Sequence, residues 1–111
     1  MMEIKIKTEG DITVVTPVGR VDTSTAKAFE DALMDASSKS SKISVCFEQI
    51  DYISSAGLRV VLMLGKKLAA AKGALVLFGM PEKIHTVFKI SGFDKILKIC
   101  ASLEESKQFF N

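Results

Sequence analysis

The chain contains no tryptophan, one tyrosine, one histidine, two cysteines and two prolines. A single histidine leaves little raw material for acid–base catalysis. Cys46 and Cys100 are too few for a disulfide scaffold, and no C-x-x-C or His-rich cluster suggests a metal centre, so neither a metal nor a cofactor is expected. Apolar runs are short as well. Val60 to Leu64 is typical, far below the roughly 18 residues that suggest a membrane span. Met1 to Thr8 alternates charged and apolar side chains without the apolar run of a signal peptide. Charge of one sign is also scarce. Fifteen basic residues against 13 acidic ones give a net of +2, and nucleic-acid binding needs a clustered basic face. These absences lead us to expect a soluble, cytoplasmic protein with reduced thiols, without nucleic acid as a partner and without a membrane span.

What is present is ordinary globular composition. The 111 residues are 48% hydrophobic and 25% charged, enough for one domain, 1–111, that buries roughly two-thirds of its unfolded surface. Glu3 to Lys7 (EIKIK) and Ile12 to Thr16 (ITVVT) flank Gly10-Asp11, turn chemistry that predicts an opening hairpin. Asp22, Thr23 and Ser24 are candidate caps for a helix carried by the stripe Phe29, Ala32, Leu33, Ala36, followed by a polar loop from Ser37 to Ser41. Ile43, Val45 and Phe47 alternate, and Cys46 between them makes both faces apolar, as in a central strand. A helix from Ala56 to Ala71 is predicted with Leu58, Val61, Leu62 and Ala69 on one side. Ala74 to Phe78 reads as a buried strand, and Pro81 as the first residue of a helix ended by Ser91-Gly92. Ile96 to Ile99 reads as a short strand, and Ser102 with Glu105 as the capping box of a last helix. Alternating strands and helices after a hairpin imply an α/β fold, a mixed sheet of about four to five strands with four helices.

The informative segment is Asp51 to Leu62, DYISSAGLRVVL. Two serines stand immediately before a helix, where the N–H groups of Ala56, Gly57 and Leu58 are first-turn donors. Such an end favours negative charge by about 0.3 to 1 kcal/mol, and Gly57 keeps the approach open to an anion carried on a serine. The plainer reading makes Ser54 or Ser55 only an N-cap. Asp22 is likewise either a helix cap or part of the same site. A hydrolase triad drawn from Ser55, His85 and an acid lacks a G-x-S-x-G elbow, and the chain leaves little room for an oxyanion pocket.

The run from Ile50 to Leu62, IDYISSAGLRVVL, resembles the signature of STAS domains, in particular those of bacterial anti-sigma-factor antagonists. Gly19-Arg20-Val21-Asp22, the chain length and the order of elements extend the similarity over about Ile4 to Phe109. The resemblance implies a non-enzymatic partner switch. An anti-sigma-factor serine kinase, using ATP and magnesium, binds the unmodified protein and phosphorylates it, and a serine phosphatase restores it. Matching Ser-Ala-Gly-Leu to the motif puts the phosphoacceptor at Ser55, with Ser54 as second choice, and the partner-binding face at Asp22, Thr23, Ser54, Ser55, Ala56, Gly57 and Arg59. Many relatives carry an aspartate where this chain has Ser54, and a polar residue where it has Cys46. The alternative within the fold is a STAS scaffold subunit of a membrane transport complex; a small serine hydrolase is the alternative from another class.

Overall fold

The computed structural model describes residues 2–110; Met1 and Asn111, the ends of the expected 1–111 domain, lie outside the described residues. The chain runs β1 (Glu3–Glu9), β2 (Ile12–Val21), α1 (Ala26–Lys39), β3 (Lys42–Cys46), β4 (Ile50–Ile53), α2 (Ser55–Ala70), β5 (Ala74–Phe78), α3 (Glu82–Ser91), a 3-10 turn (Phe93–Lys95), β6 (Lys98–Cys100) and α4 (Leu103–Gln108). Four helices and a mixed sheet match the expected α/β class. The sheet has six strands, ordered β1-β2-β3-β5-β6, with β4 paired to β2. Only β1 is antiparallel, joined to β2 through the turn at Gly10, whose φ of +64° suits glycine.

The strand absent from the sequence reading is β4. Its register against β2 slips by one residue, from Gly19↔Ile50 to Arg20↔Tyr52. That bulge leaves Asp51 and Tyr52 both exposed between buried Ile50 and Ile53, so the segment lacks the two-residue alternation that marks a strand. Gly19, at a φ of +106°, sits at the same irregularity.

Three helices and the short α4 take opposite faces of the sheet. Phe29 and Leu33 of α1, Val61 and Leu64 of α2, and Ile84 and Phe88 of α3 join Val15, Val45, Phe47 and Leu77 in the main core. Each such side chain contributes about 1.5–3 kcal/mol on full burial. On the other face Ile12, Val14, Cys46 and Phe78 pack beneath Leu103 and Phe110. There Ser44 and Ser106, both fully buried, satisfy each other at 3.1 Å, and Ser106 donates on to the Leu103 carbonyl at 2.7 Å. Cys46 is thus the small buried residue its setting suggests, and burial pushes its thiol pKa up.

Several boundaries shift. The helix α1 opens at Ala26, because Asp22 to Thr25 close a turn of their own, and it extends through Ser37 and Ser38, whose hydroxyls bond back to the carbonyls of Met34 and Asp35. Pro81 is the N-cap of α3 rather than its first residue. In α2, Ala69 is exposed and the inward stripe is Gly57, Leu58, Val60, Val61, Leu64 and Leu68. The last strand begins at Lys98, after a 3-10 turn has taken up Phe93 to Lys95. No helix among the described residues is long and apolar enough to cross a membrane.

Candidate functional site

Strands β2 and β4 run parallel and end side by side at Val21 and Ile53. The Ser54 N–H donates to the Val21 carbonyl at 2.7 Å, which ties the start of α2 to the loop after β2. Asp22 and Thr23 therefore stand beside Ser54 and Ser55 at the carboxyl ends of adjacent parallel strands, where open α/β sheets place ligands.

The two serines differ in kind. Ser54 is the N-cap, with extended backbone (φ −89°, ψ 171°), and its hydroxyl accepts the Gly57 N–H at 3.3 Å. Its carbonyl accepts the Leu58 N–H at 2.9 Å. Ser55 is the first helical residue and is exposed. Of the three first-turn donors named from sequence, Gly57 and Leu58 are thus already used, and Ala56 remains. Serine supplies this capping oxygen about as well as an aspartate would.

Gly57 serves packing rather than access. It is buried, and a Cβ placed on it would stand 2.6 Å from Val21 Cγ1 and 2.8 Å from Ile53 Cγ1. Only a glycine lets α2 lie this close to the ends of β2 and β4. The expected open approach on that side does not exist, because the face it leaves bare points into the core.

The Asp22 loop is self-braced. Its carboxylate accepts the Ser24 hydroxyl at 2.7 Å, the Ser24 N–H at 2.9 Å and the Thr25 N–H at 3.2 Å. The Ser24 hydroxyl foremost, then the two N–H groups, hold the Asp22 pKa below the usual carboxylate value. The Thr25 hydroxyl donates to the Arg20 carbonyl at 2.8 Å and accepts the Asp22 N–H at 2.8 Å. Asp22 is thus the anchor of the turn that precedes α1. Thr23, at its exposed tip, lines a groove between α1 and α2 with Ala26, Lys27, Glu30, Ala56, Arg59, Val60 and Met63.

The structure adds two residues the sequence reading did not assign to the site. Arg20 lies over the Tyr52 ring at 4.3 Å, with its Nε 3.6 Å from Asp22 Oδ2. They are register partners across β2 and β4, so they meet only through a strand pairing whose bulge hides it from the sequence pattern. His85 lies apart, on α3, and lines grooves with Ile99 rather than with Ser55. Among the described residues no cluster of three or more His, Cys, Asp or Glu side chains is arranged to hold a metal.

Comparison with known proteins places this arrangement. BtrV of Bordetella bronchiseptica, by name a candidate anti-sigma factor antagonist, is 45% identical over 62 residues, 56% of this chain and 53% of that relative. The matched stretch thus spans about half of that relative's length. The anti-sigma-B factor antagonist of Bacillus subtilis is 27% identical over 100 residues, covering 90% of this chain and 91% of that protein. Among solved structures, the Bacillus cell-fate determinant SpoIIAA in its phosphorylated form superposes with a TM-score of 0.72 at 20% identity, over 96% of this chain and 97% of that one. At that identity it shows the shared fold. The STAS domain model matches residues 3–106, and with the serine at the start of α2, the glycine beneath it and the sheet topology all in hand, the chain belongs to the STAS domain family.

Proposed function

We propose that this chain is an anti-sigma-factor antagonist whose docking on an anti-sigma-factor serine kinase is switched by phosphorylation of Ser55. The observation that carries the reading is the division of labour between the serines. The Ser54 hydroxyl is half-buried and engaged in the cap, whereas the Ser55 hydroxyl is exposed beside a braced loop and a groove. To be modified, Ser54 would first have to leave the Gly57 N–H, whereas Ser55 is accessible without disturbing the cap. The names of the two relatives, and the phosphorylated form of a protein of the same fold, support this reading.

In this proposal residues 1–111 act as one cytoplasmic, non-enzymatic domain, the substrate of its partner's kinase activity. Unmodified, the surface formed by Asp22, Thr23, Ser54, Ser55, Ala56 and Arg59 docks on the kinase, with Gly57 beneath it setting the position of α2. Phosphorylation adds about −1.5 to −2 charges at neutral pH. Burying that charge in an interface without a matching cation costs several kcal/mol, and each 1.4 kcal/mol is about tenfold in affinity. A serine phosphatase restores the docking state.

The test is incubation with the cognate kinase and ATP, followed by fragmentation mass spectrometry. One phosphate on Ser55 is expected. Phosphate confined to Ser54 or to a C-terminal serine such as Ser102 would overturn the assignment, and a protein that docks equally well with and without phosphate would be a fixed scaffold.

A further inference from the structure

We propose that Arg59 is the internal counter-ion of a phosphate on Ser55, so that modification both adds charge to the docking face and withdraws a cation from it. The proposal rests on the reading of Ser55 as the acceptor. It begins with the cations around the site. Arg20 is engaged by Asp22 and by the Tyr52 ring, and Lys27 is paired with Asp31 at 3.0 Å. Arg59 has no ion-pair partner among the described residues, although Glu30 lines the same groove.

Ser55 and Arg59 are both exposed and lie four residues apart on the 16-residue helix α2. Side chains at that spacing are neighbours, about 5–6 Å apart at Cβ, and the acid-before-base order is the favourable one. Helical side chains lean back toward the N-terminus, so the Arg59 stem reaches toward Ser55, and a guanidinium offers a phosphate there two parallel N–H donors on a flexible stem. The first turn of α2 holds no acidic residue, so no carboxylate competes for the guanidinium on its own helix. Arg59 is then presented outward in the unmodified protein and turned back along its own helix in the modified one. The two states differ at two points of the surface rather than one.

The full chain carrying phosphoserine at position 55, installed during synthesis without any kinase, is the material for the test. A phosphorus NMR titration reads the second ionisation of the phosphate, ordinarily near pH 6. A neighbouring guanidinium favours the dianion and lowers that value. In Arg59→Gln the midpoint is expected to rise by about half a unit, the scale of an exposed ion pair, while Arg59→Lys keeps most of the lowering. Phosphorylation is also expected to raise the melting temperature more in the wild type than in Arg59→Gln. A titration midpoint unchanged between wild type and Arg59→Gln overturns the proposal. Because the phosphate is installed synthetically, that outcome is separate from kinase mapping; phosphate found on another serine would overturn the acceptor reading instead.

Discussion

Helices α2 and α4 begin with the same chemistry and finish it differently. In each a serine with extended backbone caps the helix by accepting the third N–H: Ser54 from Gly57 at 3.3 Å, and Ser102 from Glu105 at 3.2 Å. The first turn of α4 then carries Glu104 and Glu105, while that of α2 carries no acid. Negative charge is stabilising at a helix N-terminus, so α4 is electrostatically complete as synthesised. The helix α2 leaves the favourable position empty and sets an exposed serine there. A charge added later finds room only at α2.

The largest effect is expected at that position. Affinity for the kinase should run Ser55→Ala near wild type, then Ser55→Asp, then phosphoserine. The Asp carboxylate has about half the charge of phosphate and fewer acceptor oxygens, and the partner must bury either one. Binding of phosphoserine should fall by 100-fold or more, about 2.7 kcal/mol. Isothermal calorimetry on the three proteins, with melting curves to exclude unfolding, measures the order. Phosphorylated protein that bound as tightly as the Ala variant would leave α2 no different from α4 in function.

Next comes the packing that brings α2 to the site. Gly57→Ala gains about 1 kcal/mol of helix propensity. Its methyl, however, must displace Val21 and Ile53 from within 3 Å, and overpacking costs about 1–3 kcal/mol. Net destabilisation of up to about 2 kcal/mol is expected in urea melts, and a more stable variant would mean that α2 can lift off the sheet freely. The caps follow. Ser54→Ala should cost about 1 kcal/mol of global stability, because α2 holds Val61 and Leu64 in the main core. Ser102→Ala should instead fray the six residues of α4 locally, visible in hydrogen exchange before the melting temperature moves.

The difference in how readily the two helix starts were read from sequence has a physical origin. The capping box of α4 has its serine and glutamate at fixed spacing, a local code complete in four residues. The opening hairpin was equally local, set by Gly10-Asp11 between two alternating runs. The segment Ser54-Ser55 named the right place for α2 but could not divide the cap from the first helical residue. That division depends on which serine holds φ −89°, ψ 171°, a backbone state fixed by the Ser54–Val21 hydrogen bond to a neighbouring strand. Arg20 and Tyr52 were unreadable for a related reason, since they meet only through the pairing of β2 with a strand whose bulge hides its period. Gly57 was read as an opening toward solvent because sequence does not say which side of a helix a missing Cβ faces.

A smaller effect is expected one turn into α2. Arg59→Glu reverses an exposed cation that has no ion-pair partner among the described residues, and thermal stability should stay within about 0.5 kcal/mol, as is usual for surface changes. Kinase binding should weaken, chiefly through a slower association rate whose salt dependence also changes, as charges at an interface edge do. Stopped-flow association at two ionic strengths checks this, and an unaltered rate would move the docking face away from Arg59.

The smallest expected effect bears most directly on why the two helices differ. Ser55→Asp gives α2 a first-turn acid like those of α4. The dipole and the Ala56 N–H should reward it, as should Arg59 four residues on, for a gain of about 0.3–1 kcal/mol in fold stability. The same variant should bind the kinase more weakly. Stability and docking would then move in opposite directions on one substitution, which is what an N-terminus left uncharged for function requires. The gain should shrink when the pH falls below the carboxyl pKa, near 3.9 for an unperturbed aspartate. There the carboxylate protonates and loses its attraction to the dipole, so the advantage is present above that pH and lost below it. Melting curves of wild type and Ser55→Asp at pH 7 and pH 3 measure both the gain and its loss. An aspartate that destabilised the fold at pH 7 would mean that the start of α2 disfavours negative charge, and the contrast with α4 would rest on something other than electrostatics.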